Sequence, residues 1–201
     1  MGAEFREANR AYKLMLYYTA KAMVDTVGEN AAKIVLRRAG LLDLLELEEP
    51  PEPDETIPLE KALRLKAENM RFFGDTYVAF SRRAGMLAAR SMKLPRLVRP
   101  ILRITTLGGD WRKAMARVGK GILEPLNARM EVDLQEKGYT ARVYNCPECR
   151  GLRADRPICY FMVGFTTGII QRLFKIKVDV VERRCIAKGD ECCEFHVLPI
   201  E

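Results

Sequence analysis

Four side chains near the C-terminal end of this chain, Cys159, Glu182, Cys185 and Cys193, are of types that hold divalent metal at spacings a simple fold can close. If Ile176 to Ile186 and Cys192 to Val197 form two strands, the loop of residues 187–191 sets Ile186 opposite Cys192 and Cys185 opposite Cys193. Directly opposed residues place their Cβ atoms about 5 Å apart. Two thiolates that close repel, so the pair must be protonated, oxidised to a disulfide or bound to a soft cation. The third thiol comes from another element. Pro157 suits the start of a helix whose apolar run continues through Val163, Ile170 and Phe174, which puts Cys159 in the first turn, where the helix dipole favours a thiolate. Three thiolates and a carboxylate at roughly 2.0 to 2.3 Å complete a tetrahedral zinc site with no place for water, which is a structural site.

Side chains alternate along a strand, so Glu182 and Cys185, three apart, should face opposite ways. A bulge near Arg183 and Arg184 must bring them together; in a regular strand Glu182 is no ligand and another cysteine replaces it. The plainer alternative is a set of buried core cysteines with a surface glutamate. A rival metal set also exists. Cys146-Pro147-Glu148-Cys149 has the spacing of a knuckle in which two thiolates grip one ion, and with Cys185 and Cys193 it makes a four-cysteine site. Six cysteines leave an iron–sulfur cluster as a chemical alternative to zinc. Cys192 points away from Cys193 and reads as a bystander.

Taken together, Pro157-Ile158-Cys159, Gly164-Phe165, Gly168, Glu182-Arg183-Arg184-Cys185, Gly189-Asp190 and Cys193 resemble the 4-vinyl reductase domain family. That family includes sensor domains of phenol-responsive bacterial transcription activators and is similar in fold to small subunits of the TRAPP tethering complex. The resemblance covers roughly the last 90 residues, and before Gly109 it rests on helical pattern alone. It implies an α+β fold, an antiparallel sheet of about four strands with helices packed on one face, commonly as a homodimer. It also implies zinc on Cys159, Glu182, Cys185 and Cys193. Two departures stand out. The phenol sensors hold the ligand's hydroxyl with a histidine, whereas the single histidine here, His196, lies beyond the last cysteine. The ATPase and DNA-binding domains of those regulators have no counterpart in the sequence.

With 201 residues, 48% of them hydrophobic, the chain can bury one sizeable core. The longest uncharged run, Pro157 to Gln171, is too short to span a bilayer, and the start Met1 to Arg6 reads as neither a secretory signal nor a myristoylation site. A cytoplasmic protein with reduced thiols is the expectation. The net charge of +7 is uneven: eleven Lys or Arg fall between Arg82 and Lys120 against Asp110 alone, while Glu46 to Glu60 carries seven acidic residues. Such a basic block suits phosphates, including lipid headgroups at a membrane surface. Its one aromatic, Trp111, gives base stacking little support, so nucleic acid is disfavoured and a solvated helix face or a contact with the acidic segment is preferred.

Along the chain, residues 1–46 read as an N-terminal helical hairpin, Phe5 to Val27 and about Glu29 to Leu45, that offers a dimer contact. Residues 47–57, with Pro50, Pro51 and Pro53 among glutamates, read as a linker. Residues 58–201 form the ligand- and metal-binding domain. Pro58 opens a long helix with the stripe Leu59, Leu63, Met70, Phe73, Tyr77, Phe80, Ala84 and Leu87, and Gly74 inside it marks close packing or a bound ligand. Lys93 to Leu107 reads as a broken helix, Asp110 as the N-cap of Trp111 to about Ala128, and Met130 to Val143 as a hairpin with one buried face. Gly119-Lys120-Gly121 lacks the rest of a phosphate loop. Gly164 and Gly168 suit packing of their helix on the sheet.

These features suggest a stand-alone small-molecule-binding or sensory domain with an apolar pocket lined by Met70, Phe73, Tyr77, Phe161 and Phe165. Each of those residues also fits plain core. The resemblance permits a lipid, an aromatic or a tetrapyrrole as the ligand. One alternative is a reductase, or reductase accessory, acting on a vinyl tetrapyrrole, against which stands the lack of a dinucleotide fingerprint and of an acid/base pair. The other is an assembly subunit similar to the tethering proteins.

Overall fold

The computed structural model describes residues 9–92 and 110–200, so the expectation for Lys93 to Leu107 lies outside the described residues. A short strand β1 (Arg10–Tyr12) leads into helices α1 (Lys13–Val27) and α2 (Glu29–Ala39). Strand β2 (Thr56–Pro58) pairs with β1, followed by α3 (Leu59–Phe73), α4 (Thr76–Ser91) and α5 (Trp111–Leu123). The C-terminal part is β3 (Arg129–Leu134), β4 (Tyr139–Tyr144), α6 (Tyr160–Phe174), β5 (Val178–Arg184) and β6 (Cys193–Pro199). The four last strands form one antiparallel sheet in the order β3-β4-β6-β5, the α+β architecture expected.

Pairing fixes which residues face the helices. Val143 opposes Cys193, Ala141 opposes Phe195, Tyr139 opposes Val197 and Val180 opposes Val197, all buried. Glu182 sits opposite Phe195 on the same inner face, whereas Glu194 and His196 alternate onto the outer one. Above that face lies α6, apolar on all sides as a helix enclosed between layers must be. Helix α4 packs across α6, α1 packs on α4, and all join one continuous core.

Several details differ from the expectation. The long helix from Pro58 is two helices, because Gly74 adopts φ +50°, a conformation open to glycine, and ends α3. An added Cβ there meets nothing within 4 Å, so the glycine serves the turn and not close packing. Close packing occurs elsewhere: a Cβ on Gly164 would lie 1.9 Å from the Arg82 carbonyl oxygen, and one on Gly85 2.1 Å from that of Phe161. The Gly164–Gly168 strip therefore receives helix α4, not the sheet. Thr56 and Ile57, read as linker, form β2; the first helix begins at Lys13, and the second ends at Gly40 in the left-handed conformation. Residues on β3 are largely exposed, so this edge strand lacks the buried face expected of it. Asp110 does cap α5, its carboxylate accepting from the Arg112 N–H. Trp111 packs against Tyr139 and Phe174, which removes it as a stacking platform for bases. Among the described residues no helix is long and apolar enough to cross a membrane.

Candidate functional site

The β5–β6 pairing shifts register between Glu182 and Arg184, the bulge that the spacing of Glu182 and Cys185 requires. Beyond it Cys185 keeps extended backbone, a short 3₁₀ turn (Ile186–Lys188) follows, and the Asp190 carboxylate accepts from the Cys185 N–H at 2.8 Å. Cys159 is the N-cap residue of α6, and its own N–H donates to Glu182 Oε2 at 2.7 Å. The Cys159 sulfur lies 3.9 Å from that of Cys185 and 3.8 Å from that of Cys193, and Cys193 to Cys185 is 4.0 Å. All six cysteines are free thiols, so this cluster is not a disulfide.

Cys159, Glu182, Cys185 and Cys193 place one ligand atom each within 4.8 Å of one another, all buried. A second such set among the described residues is Cys146, Cys149, Cys159 and Cys193. The knuckle is thus part of the cluster, but its close companions are Cys159 and Cys193, where the rival reading had Cys185 and Cys193. Cys192, though buried, belongs to neither set.

The chemistry of these donors fits a cation. Glu182 Oε1 is buried without a hydrogen-bond partner, and burial with the charge of Cys185 pushes its carboxyl up to about 9. Burial likewise pushes the Cys159 thiol well above its ordinary value. A divalent ion reverses both, since it replaces lost hydration and favours the deprotonated donors. The Ile186 N–H points at the Cys193 sulfur at 3.5 Å, a contact that supports a thiolate there. Zinc–sulfur bonds of about 2.3 Å span a tetrahedral edge of about 3.8 Å, close to the sulfur separations found.

Two functional side chains escaped the sequence reading. Glu148, inside the knuckle, accepts from the Phe161 N–H at 3.1 Å and the Met162 N–H at 2.9 Å, so it closes the open N-terminus of α6. Lys66 on α3 reaches it at 2.9 Å, and both are buried. Burial alone would push the Lys66 ammonium down, but Glu148 holds it well above its ordinary value. The Tyr77 hydroxyl donates to the Ile158 carbonyl at 3.2 Å. Lys66, Asn69, Tyr77, Ser81 and Glu148 border a polar cavity of about 30 Å³. The signal for Glu148 was a carboxylate within two residues of each thiol of a knuckle; Lys66 carried none, since a lysine on a helix reads as solvent-facing.

A separate apolar cavity of about 180 Å³ lies between α1, α5 and α6, with Met15, Ile122, Leu126, Phe161, Met162 and Phe165 among its walls. Phe161 and Phe165 were expected to line a pocket. Tyr77 borders the polar cavity, Met70 joins it at an outer cleft with Arg156, and Phe73 packs edge-on against Phe80. Glu148 borders both cavities. His196 is partly exposed beside Glu194 at 3.0 Å and does not border the apolar cavity.

Residues 139–199 match the family model of the vinyl-4-reductase domain. The chain is 38% identical over 68 residues to an uncharacterized protein of Methanocaldococcus jannaschii, a segment that is 34% of this chain and 37% of that one. A second uncharacterized protein of the same organism is 34% identical over 65 residues, 32% of this chain and 40% of the relative, so the chain spans well under half the length of either. Among solved structures, an H-NOX protein from S. oneidensis in its Fe(II)NO ligation state shares the fold with TM-score 0.58 at 10% identity, covering 95% of this chain and 100% of that one. A trafficking protein particle complex subunit 3 from Naegleria fowleri, covalently bound to palmitic acid, aligns with TM-score 0.52 at 16% identity over 71% of this chain and 93% of its own. The resemblance to the 4-vinyl reductase family, read from the cysteines, glutamate and glycines of the tail, holds over residues 139–199, where the chain matches that family's domain.

Proposed function

We propose that the chain is a small-molecule-binding sensory domain whose apolar cavity takes a hydrophobic ligand and whose tail is locked by zinc on Cys159, Glu182, Cys185 and Cys193. The observation that carries this is the cavity itself, placed against the first turns of α6 and sharing Glu148 with the thiol cluster. An occupant pressing on Phe161, Met162 or Phe165 moves the turn that begins at Cys159. Binding and the packing of the metal hairpin are thereby coupled through one helix, and a homodimer would carry that shift between subunits.

Size narrows the ligand. An apolar cavity of roughly 150 Å³ takes benzene, and drug-sized pockets run to about 300–1,000 Å³. At about 180 Å³, as bounded by the described residues, this one suits a single aromatic ring or a segment of an acyl chain better than a tetrapyrrole. The zinc would supply cohesion and no catalysis, since its four donors leave no open position.

Native mass spectrometry of protein purified under reducing conditions tests the reading. Retention of an aromatic or acyl compound, lost in Ala88→Phe, which fills the cavity from α4, supports it. A coloured redox cofactor would turn the assignment toward the reductase, and a stable heteromeric partner toward an assembly subunit. For the metal, Cys159→Ser should abolish zinc binding and Cys146→Ser should retain it.

A further inference from the structure

The two mutually close donor sets share Cys159 and Cys193 and differ in the rest. They are therefore not rivals for one position but two tetrahedra with a common edge, the 3.8 Å separation of the Cys159 and Cys193 sulfurs. On one side of that edge stand Glu182 and Cys185, on the other Cys146 and Cys149. The outer contacts have the same scale: Cys146 to Cys159 is 3.9 Å, Cys149 to Cys193 is 3.3 Å and Cys159 to Cys185 is 3.9 Å. We propose that the site is a binuclear thiolate-bridged centre, in which Cys159 and Cys193 bridge two divalent d¹⁰ ions and each ion takes two terminal donors.

A single tetrahedral ion uses four donors and strands two. In the single-ion case the stranded pair is Cys146 and Cys149, both wholly buried. As ordinary core thiols they would gain nothing from facing other sulfurs. Yet the turn at Cys146, closed by the Cys149 and Arg150 N–H groups on the Cys146 carbonyl, aims both sulfurs into the cluster. Charge points the same way. Fully deprotonated, five thiols and a carboxylate carry six negative charges, of which one divalent ion offsets a third and two offset two thirds. The second ion also extends the metal's reach from the β5–β6 hairpin to the knuckle that holds Glu148, and so to the start of α6.

This inference rests on the metal-holding part of the proposed function, and metal counting separates the two. The full chain, reduced and reconstituted with zinc alone, is freed of excess and measured by elemental analysis and native mass spectrometry. Two zinc ions per chain are expected, falling to one in Cys146→Ser/Cys149→Ser and to one in Glu182→Gln/Cys185→Ser. One ion in the unaltered chain overturns the binuclear centre and leaves the single-zinc reading standing. None overturns both, as do four irons with inorganic sulfide in protein from its own cells. Cobalt(II) loading tests the bridge without any variant. With shared thiolates the paramagnetic resonance per cobalt collapses as the second ion enters, whereas two unlinked sites give a signal that doubles, which would overturn the bridge.

Discussion

Helix α6 has two unlike flanks. On one, its N-terminus is closed by Glu148, Cys159 joins the sulfur cluster, and Gly164 admits the backbone of α4 with no room for a methyl group. On the other, Phe161, Met162 and Phe165 face a cavity of about 180 Å³. At about 24 cal/mol per Å³, an empty space of that size costs on the order of 4 kcal/mol of stability. A fold of ordinary marginal stability keeps such a space only if the opposite flank is dense enough to offset it. The contrast assigns roles: one side of α6 sets its position, and the other leaves it something to respond to.

The comparison breaks most readily at Lys66. Lys66→Met leaves the Glu148 carboxylate buried against two backbone N–H groups without its cation, and stranding one partner of a buried pair costs about 3–5 kcal/mol. A thermal melt of the metal-loaded chain should fall by roughly 6–20 °C, at about 2–4 °C per kcal/mol. The double variant Lys66→Met/Glu148→Gln should recover much of it, because the amide oxygen still accepts. A single variant that melts with the parent would show the pair to be idle. Gly164→Ala comes next. Its methyl meets the Arg82 backbone, which cannot rotate aside, and overpacking of this kind costs about 1–3 kcal/mol. An unchanged denaturant midpoint would mean that α4 and α6 are not held this tightly.

The dense flank was partly legible in the sequence, for a reason visible at Arg183. Donor spacing is a local constraint, so Cys159, Glu182, Cys185 and Cys193 implied both the hairpin and the bulge that the register shift supplies. What the spacing could not convey was depth. Lys66 falls off the apolar stripe of α3, and only the tertiary position of Glu148 explains its burial. Gly85 gave no cue, since its partner Phe161 is 76 residues away and close backbone approach leaves no periodicity. The cavity was misread where the chain turns. An unbroken helix across Gly74 would align Met70, Phe73 and Tyr77 on one wall, but the positive φ at Gly74 redirects α4 and sends those side chains to three different neighbourhoods. Phe161 and Phe165 survived because α6 runs unbroken through them.

The open flank yields the smallest effect and the sharpest contrast. Gly121 lies near the end of α5 on the rim of the apolar cavity, in ordinary helical backbone, and a Cβ built on it meets nothing within 4 Å. It is thus the counterpart of Gly164: the same residue type in a helix, but with space where Gly164 has backbone. Gly121→Ala should therefore stabilise, by up to about 1 kcal/mol from helix propensity, raising the melting temperature by a few degrees. Metal content should not change, because the substitution touches neither donor set. Gly121→Leu carries the test further: its side chain projects over the cavity mouth, so it should weaken uptake of an aromatic or acyl probe while the fold stays at least as stable as the parent. If both substitutions destabilise as Gly164→Ala does, the space beside α6 closes in solution, and the two flanks differ less than their geometry indicates.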